Sequence, residues 1–316
     1  MKIGVLMDPL IKLNPTKDTT LALIKSAMKL GHAVQVFYPE DWFWQKGEVF
    51  ALTSSLKCHS VGEVWERGSI VEQPLTIFDI ILMRQDPPVN QQYLYATYAL
   101  EHAQKAGVLI SNHPQAVRDS NEKFAITHYP KLITPTLITQ SRQRLRAFWE
   151  QHHDVVYKPI DAYGGESVLR VDANGSNLTV ILDLLTQHGT KTIMAQRYIP
   201  EIKSKGDKRI LMIHGKPVPY ALARMPAKND WRGNLAAGAT GEVVPLTERD
   251  KEICAGVSPF LKARGLHLVG LDVIGDWLTE INVTSPTCLV EIEKGTGLDL
   301  AGQYWEGLTN LPSHDR

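Results

Sequence analysis

Three oxygen-bearing side chains that suit a metal ion lie in one segment that alternates like a β-hairpin: Asp272, Glu280 and Asn282. The segment runs from residue 269 to 286. If its turn has three residues, 275–277, Asp272 lies opposite Glu280 and the three polar side chains share one face, because strand side chains alternate with period two. A two-residue turn would scatter them. The apolar pattern therefore favours a hairpin with one buried face and oxygen ligands on the other.

Carboxylate and amide oxygens are the ligands that Mg²⁺ or Mn²⁺ prefers, usually together with phosphate oxygens. A hairpin with a plain solvent-facing polar side is the alternative. The small-residue loop Asn282–Pro286 follows the second strand at once, and loops of this kind hold substrate groups. This loop favours a metal and substrate site over a solvated face.

Two further segments have the residues to bind a nucleotide. Lys158 ends a predicted strand and is followed by Gly164 and Gly165, which could offer a cation and backbone N–H groups to phosphates. The spacing is not that of a P-loop, and a hairpin with a glycine turn is the alternative. The strand at 194–199 could bind an adenine edge through its backbone, and Asp207 could hold ribose hydroxyls, although a connector strand is the simpler interpretation.

The stretch 224–241 combines glycines, alanines and two arginines, and its length is typical of a functional or disordered loop. Arg209, Arg224 and Arg232 would matter if they converge on an anionic substrate. No Ser/His/acid arrangement, nucleophile elbow or zinc spacing stands out. Chemistry without a covalent protein nucleophile, such as transfer from a metal-bound nucleotide, fits these residues best.

Composition limits the function classes. The 316 residues include 34 basic and 34 acidic side chains, so no overall field attracts nucleic acid or an anionic membrane. No apolar run approaches the roughly 18–20 residues that span a bilayer, and the first strand does not read as a signal peptide. Three scattered cysteines fit a reducing compartment. We therefore expect a cytoplasmic globular protein that binds neither nucleic acid nor membrane.

The elements that must position these residues fall into an α/β part and an α+β part. Strands are predicted at 3–7, 33–38 and 79–83, with helices at 18–30 and 91–106, which indicates a mostly parallel sheet. The region 40–77 is predicted to be irregular. A boundary is placed near 122, where a short helix at 121–127 begins a smaller α+β module. Strands at 207–223 and a helix at 247–264 precede the hairpin.

Taken together, the motifs resemble the ATP-grasp carboxylate–amine ligases, and more closely the bacterial glutathione synthetases. They cover the chain from its first strand to about residue 293 in the family's order, and the ordered set is far more specific than any single motif. The segments that carry the resemblance are Met7–Pro9, Ile81–Pro88, Asn121–Lys123, Lys158–Pro159, Gly164–Gly165, Met194–Gln196, Gly206–Arg209, Arg232–Gly238, Gly270–Asp276 and Leu278–Pro286.

The resemblance implies an N-terminal α/β (pre-ATP-grasp) domain followed by a two-module ATP-grasp fold. The implied boundaries are 1–122 for the substrate-binding domain, 123–200 for the lid module and 201–316 for the C-terminal module, with a mobile loop at about 225–241. In that loop, Gly238–Thr240 departs from the Gly-Gly-Arg that such loops commonly have. A homo-oligomer, either a tetramer or a dimer, is also implied.

The resemblance also assigns roles to residues of this chain. ATP would be bound by Lys123, Lys158, Gly164, Gly165, Gln196, Arg197, Tyr198, Ile199 and Asp207. Mg²⁺ or Mn²⁺ would be held by Asp272, Glu280 and Asn282. The peptide substrate would be received by Arg84, Arg209, Arg224, Asn282 and Ser285.

The implied activity is ligation of γ-glutamylcysteine to glycine, with ATP as co-substrate and an acyl phosphate as intermediate. Arg209 or Arg224 would act catalytically by stabilising the tetrahedral oxyanion. No general base is assigned. The alternatives are another ATP-grasp ligase, of the D-alanine–D-alanine or amino-acid–protein type, and a Mg-ATP-binding module without catalysis. The presence of both metal carboxylates and both lysines argues against the second alternative.

Overall fold

The computed structural model describes residues 1–59, 64–227, 233 and 240–311. Most of the loop predicted at about 225–241, including Gly238 and Ala239, lies outside the described residues. Within the described ranges, no helix combines the length and the apolar character needed to cross a membrane.

The first sheet has a parallel core, as the alternation of strand and helix predicted. Its order is β3-β4-β2-β1-β6-β7, with β5 paired to β4. The pairings β1–β2, β1–β6 and β6–β7 are parallel. Its strands are β1 (Lys2–Met7), β2 (Ala33–Phe37), β3 (Trp42–Gln45), β4 (Glu48–His59), β5 (Val64–Pro74), β6 (Ile80–Arg84) and β7 (Leu109–Ser111). The helices of this part are α1 (Thr19–Lys29), α2 (Gln91–Lys105) and α3 (Pro114–Asp119), with 3₁₀ turns at Leu10–Lys12 and Leu75–Ile77.

The prediction that region 40–77 is irregular is wrong, because most of it forms the antiparallel strands β3, β4 and β5. Gln45 pairs with Glu48 across a two-residue turn. Both turn residues, Lys46 and Gly47, have positive φ, the geometry of the turns that suit a twisted hairpin. Such turns usually have Asn-Gly or Asp-Gly, so the Lys-Gly pair of this chain does not match the pattern that predicts a hairpin.

The second sheet is antiparallel and has the order β10-β9-β11-β8. Its strands are β8 (Thr136–Thr139), β9 (Val155–Pro159), β10 (Leu169–Val171) and β11 (Ile193–Arg197). Helices α4 (Arg142–His152) and α5 (Leu178–Leu185) supply Leu145 and Leu182 to a core that also contains Tyr157 and Ile193. The helix predicted at 121–127 is a 3₁₀ turn at Phe124–His128.

The third sheet is also antiparallel, in the order β14-β13-β12-β15-β16. Its strands are β12 (Asp207–Ile213), β13 (Lys216–Met225), β14 (Thr240–Pro245), β15 (Leu268–Ile274) and β16 (Trp277–Asn282). Its helices are α6 (Ile202–Lys205), α7 (Glu248–Ala263), α8 (Leu289–Thr296) and α9 (Leu300–Thr309).

A buried ion pair joins β12 to the first turn of α7. Lys208 Nζ lies 2.5 Å from Asp250 Oδ1, and the two side chains are 7% and 0% exposed. Asp250 also completes a capping box with Thr247, the residue before the helix. This pair fixes β12 from the face opposite Asp207 and Arg209.

The carboxamide of Asn112 connects the first sheet to the third. Its nitrogen donates to the carbonyls of Leu268 and Val283, at 2.8 Å each. Its oxygen accepts from the N–H groups of His267 and Leu268, at 2.7 and 3.0 Å. One side chain after β7 therefore holds the start of β15 and the residue that follows β16.

Candidate active site

The β15–β16 hairpin has the predicted pairing but not the predicted turn. Asp272 pairs with Glu280, which confirms the register. The three-residue turn is wrong: Ile274 pairs with Trp277, so the turn has two residues. A shift between Asp272 and Val273 restores the register, because β16 has one extra residue, Thr279. The bulge places the carboxylates as the longer turn would have done.

Asn282 lies opposite Gly270, and its amide nitrogen donates to the Gly270 carbonyl at 3.1 Å. That bond uses the nitrogen and leaves the amide oxygen for a ligand. Asp272, Glu280 and Asn282 all line one cavity, while Leu271 and Ile281, on the other face, are fully buried. The predicted division between an oxygen-bearing face and an apolar face is confirmed.

Two buried arginines converge on Asp272. Arg209 makes a bidentate contact with its carboxylate, with N–O distances of 2.5 and 3.0 Å. Arg224 lies 3.0 Å from the same carboxylate and 2.6 Å from Asp207. Gly270 makes room for this cluster, since a Cβ there would lie 2.7 Å from Arg209 Cδ. Both arginines line the cavity and retain donors for an anion.

The two aspartates of this cluster differ in pKa. Burial would raise the pKa of Asp272, but the guanidinium groups of Arg209 and Arg224 outweigh burial and lower it. Burial dominates at Asp207 and raises its pKa to about 7, although Arg224 opposes the rise. Oδ1 of Asp207 is buried and has no hydrogen-bond partner among the described residues. An acceptor of this kind suits a ligand hydroxyl.

Two buried lysines meet at Glu280. Lys123 Nζ is 3.5 Å from its carboxylate and 2.5 Å from the Ala162 carbonyl oxygen. Lys158 Nζ is 3.8 Å from the same carboxylate. Burial lowers the pKa of Lys158, and Glu280 opposes that change. Two cations this close together suit a ligand with several negative charges.

The glycine loop and the strand β11 form the opposite wall. Gly164 and Gly165 have φ of +65° and +76°, which side chains rarely adopt. Gln196 is anchored by a 2.9 Å bond from its amide nitrogen to Thr136 Oγ1. Arg170 stacks on the Tyr198 ring at 3.6 Å. The wall thus offers backbone groups beside an ordered aromatic residue.

The cavity has a volume of about 430 Å³ and brings together residues of the second and third sheets with Asp86 and Pro87, which follow β6 of the first sheet. The predicted site residues that line it are Lys123, Lys158, Gly164, Gly165, Gln196, Arg197, Tyr198, Ile199, Asp207, Arg209, Arg224, Asp272, Glu280, Asn282 and Ser285.

Arg84 is placed differently from the other predicted site residues. It ends β6, is 5% exposed and does not line the cavity. Its guanidinium donates to Thr20 Oγ1 at 3.1 Å and to the Pro286 carbonyl at 3.0 Å. Ser285 Oγ donates to the Arg84 carbonyl at 3.4 Å. Arg84 therefore holds the loop after Asn282 from behind.

Glu122 and Cys288 are among the lining residues that were not predicted as site residues. Cys288 has φ of +82° at the start of α8, and burial raises its pKa. Glu122 lies inside the Asn121–Lys123 motif, which the sequence offered as a domain boundary and as part of the resemblance. Its contacts are with residues some 160 positions away, which one sequence does not reveal.

The donor set fits a divalent cation that shares its shell with phosphate. Among the described residues, no group of three His, Cys, Asp or Glu side chains is arranged to hold a metal alone. Asp272, Glu280 and the Asn282 amide oxygen provide two carboxylates and one neutral oxygen beside two lysines. Mg²⁺ is commonly bound in this way, through one or two carboxylates plus substrate phosphates.

The fold is shared with ATP-grasp ligases of known structure. D-cycloserine synthetase DcsG matches with a TM-score of 0.69 at 13% identity, covering 97% of this chain and 98% of that one. The ATP-grasp ligase PsnB, complexed with minimal precursor, Mg and ADP, matches with a TM-score of 0.63 at 15% identity, covering 97% and 96%. At such identities these likenesses define the fold alone.

Sequence comparison defines the family. The N-terminal domain model of prokaryotic glutathione synthetase matches residues 1–118, and its ATP-grasp domain model matches residues 122–297. The glutathione synthetase of Pseudomonas aeruginosa is 48% identical over 295 residues, covering 93% of each chain. That of Escherichia coli K12 is 45% identical over 310 residues, covering 98% of each. The chain therefore belongs to the prokaryotic glutathione synthetase family, whose members are ATP-using ligases.

Proposed function

We propose that this chain joins γ-glutamylcysteine to glycine, with conversion of ATP to ADP and phosphate. The observation that carries the proposal is one cavity in which two buried lysines, two buried arginines and the carboxylates of β15 and β16 meet. Among the reactions of ATP-grasp ligases, this one is favoured because the chain matches glutathione synthetases over 93–98% of its length.

The nucleotide would lie between the second and third sheets. Lys123, Lys158 and the Gly164–Gly165 turn would hold its phosphates, and the segment Gln196–Ile199 at the end of β11 would hold its adenine. The unpartnered oxygen of Asp207 would accept from a ribose hydroxyl. Asp272, Glu280 and Asn282 would hold Mg²⁺ or Mn²⁺, which when bound neutralises charge on the phosphate oxygens.

The reaction needs an activated carboxylate because a carboxylate oxygen is a poor leaving group. The cysteinyl carboxylate attacks the γ-phosphorus of ATP, ADP leaves, and an acyl phosphate forms. The lysines offset charge on the transferring phosphoryl group. The glycine amine then attacks the acyl carbon, and phosphate leaves.

Arg209 and Arg224 would bind the dipeptide and stabilise the oxyanion that forms during that attack. Their orientation is set by Asp272, which engages both guanidinium groups. Asn282 and Ser285 would contact the substrate from the loop. We propose an indirect part for Arg84, since its bond to the Pro286 carbonyl positions this loop.

The three sheets support a division into domains at 1–122, 123–200 and 201–316, and the loop at 225–241 is proposed as a lid. A homo-oligomer in the cytoplasm is proposed from the family resemblance. Light scattering of the purified chain checks the oligomeric state.

The test is phosphate release measured with each component omitted in turn. Release should require γ-glutamylcysteine, glycine and Mg²⁺ together, and mass spectrometry should identify glutathione as the product. Lys158→Met should lower kcat by about a hundredfold or more, while the exposed Lys203→Met on α6 should not. Turnover with D-alanine in place of both substrates would favour another ATP-grasp ligase.

A further inference from the structure

Glu122 is a carboxylate of the cavity that takes no part in the proposed phosphoryl transfer or in binding the dipeptide. It precedes Lys123 and faces the cavity beside Thr284 and Ser285. Lys123 directs its ion pair to Glu280, and no described cation forms an ion pair with Glu122. Glu122 is partly buried, and a partly buried carboxylate without a counter-ion is favoured by a ligand that supplies the opposite charge.

One oxygen of Glu122 is fully committed to the protein. Oε1 accepts from the N–H groups of Val283 and Thr284, at 3.0 and 3.2 Å, and from Thr284 Oγ1 at 2.9 Å. The Glu122 carbonyl accepts from the Ile281 N–H at 2.9 Å. These bonds fix the side chain against the loop that follows the metal-binding strand. No described residue bonds to Oε2, so this oxygen is available to a ligand.

Among the charged groups of the substrates, only an ammonium group is positive and could pair with this carboxylate. ATP and carboxylates are anionic and would be repelled, whereas the ammonium group of an amine substrate is attracted. Such an amine must lose a proton before it can attack an acyl phosphate, because the protonated form has no lone pair.

We propose that Oε2 of Glu122 binds the ammonium group of glycine and removes its proton before the amine attacks. This inference rests on the proposed function. One proton passes from the glycine nitrogen to Glu122. The freed lone pair forms the C–N bond, the bond from the acyl carbon to the phosphate oxygen breaks, and phosphate leaves with that electron pair. The second proton passes from nitrogen to the departing phosphate, and Glu122 returns its proton to water.

The surroundings of Glu122 suit a base. Burial raises its pKa, while its bonds with Thr284 oppose the rise. A carboxylate with a raised pKa accepts a proton more readily at neutral pH. The charged groups that act on Glu122 are Glu280 of β16 and Lys123 of its own segment. Glu122 in turn acts on the Tyr93 hydroxyl of α2, as do Arg84 at the end of β6 and Asp86 in the loop after it.

The experiment compares two nucleophiles in Glu122→Gln. Glutamine keeps an oxygen for the Val283 and Thr284 donors and loses only the charge and the base. With glycine, kcat/KM should fall by about a hundredfold or more, with unchanged KM for ATP and γ-glutamylcysteine. With hydroxylamine, which is neutral at pH 7, hydroxamate formation should equal that of the wild type. The acid limb of the pH profile with glycine should also disappear.

Two further variants separate chemistry from structure. Thr284→Val removes one bond to Oε1 and keeps the charge, so its loss with glycine should be much smaller. Glu122→Asp keeps the charge and should retain part of the glycine activity even if Glu122→Gln fails to fold.

Equal losses with both nucleophiles, or no loss with glycine, would overturn the inference and leave the proposed function intact. If Glu122→Gln fails to fold, equal losses with both nucleophiles in Glu122→Asp would overturn it as well. A wild-type protein that makes no glutathione would instead refute the proposed function.

Discussion

Removing one partner of the buried Lys208–Asp250 pair should strongly destabilise the protein. Asp250→Asn keeps the shape and the capping acceptor for α7 but leaves Lys208, 7% exposed, as an uncompensated charge. Breaking a buried pair in this way costs about 3–5 kcal/mol. A loss of this size in the free energy of unfolding lowers the folding equilibrium constant by roughly a hundredfold to several thousandfold.

The same helix offers a matched control. Glu248 and Lys251 form an ion pair 2.7 Å long, but their side chains are 85% and 56% exposed. Glu248→Gln should therefore change the free energy of unfolding by less than about 1 kcal/mol. The double variant Lys208→Met with Asp250→Asn removes both charges and should recover much of the loss.

The assay is urea unfolding followed by tryptophan fluorescence, with the midpoint and slope recorded for each variant. If Asp250→Asn unfolds at the same urea concentration as Glu248→Gln, the reasoning about burial is refuted. It is also refuted if the double variant is no more stable than Asp250→Asn.

Three further predictions follow from burial and close contacts. Burial raises the pKa of Asp207 from 3.8 to about 7, so its contribution to stability is lost as pH rises through that value. The free energy of unfolding of the wild type, compared with that of Asp207→Asn, should therefore fall as the pH rises from 3.8 to about 7. Burial lowers the pKa of His267 from 6.5 to about 4, so stability should be lost as pH falls between these values, and less so in His267→Asn. In Gly233→Ala, the added Cβ would lie 2.7 Å from Asp207 Cβ and 2.8 Å from the Arg224 carbonyl, so KM for ATP should rise severalfold.

Urea unfolding at a series of pH values checks the first two of these predictions. Parallel pH dependences of variant and wild type would contradict either of them. Steady-state kinetics check the third, and an unchanged KM for ATP in Gly233→Ala would contradict it.

Local patterns predicted those parts of the structure that depend on neighbouring residues. The period-two alternation around Asp272 and Glu280 determined which face each residue takes, and the parallel strands of the first sheet follow from their apolar runs. The turn length was wrong because a bulge at Thr279 compensates for one residue, and alternation cannot distinguish the two arrangements. The hairpin of β3 and β4 was missed because its turn has a lysine at positive φ.

Long-range contacts account for what the sequence could not show. Arg84 stands in a motif typical of substrate contact, yet its guanidinium bonds to Pro286, 202 residues away. Glu122 was visible only as part of a motif, since its three donors come from residues 283 and 284. The orientation of a buried charged side chain depends on such partners, and a single sequence does not pair them.

The most direct test of the proposed ligase reaction follows the oxygen atoms of the substrate carboxylate. γ-Glutamylcysteine labelled with ¹⁸O in its cysteinyl carboxylate is incubated with the protein, glycine and Mg-ATP, and the released phosphate is analysed by mass spectrometry. Activation through an acyl phosphate predicts one ¹⁸O atom in each phosphate formed along with glutathione. Glutathione formation with unlabelled phosphate would contradict the account.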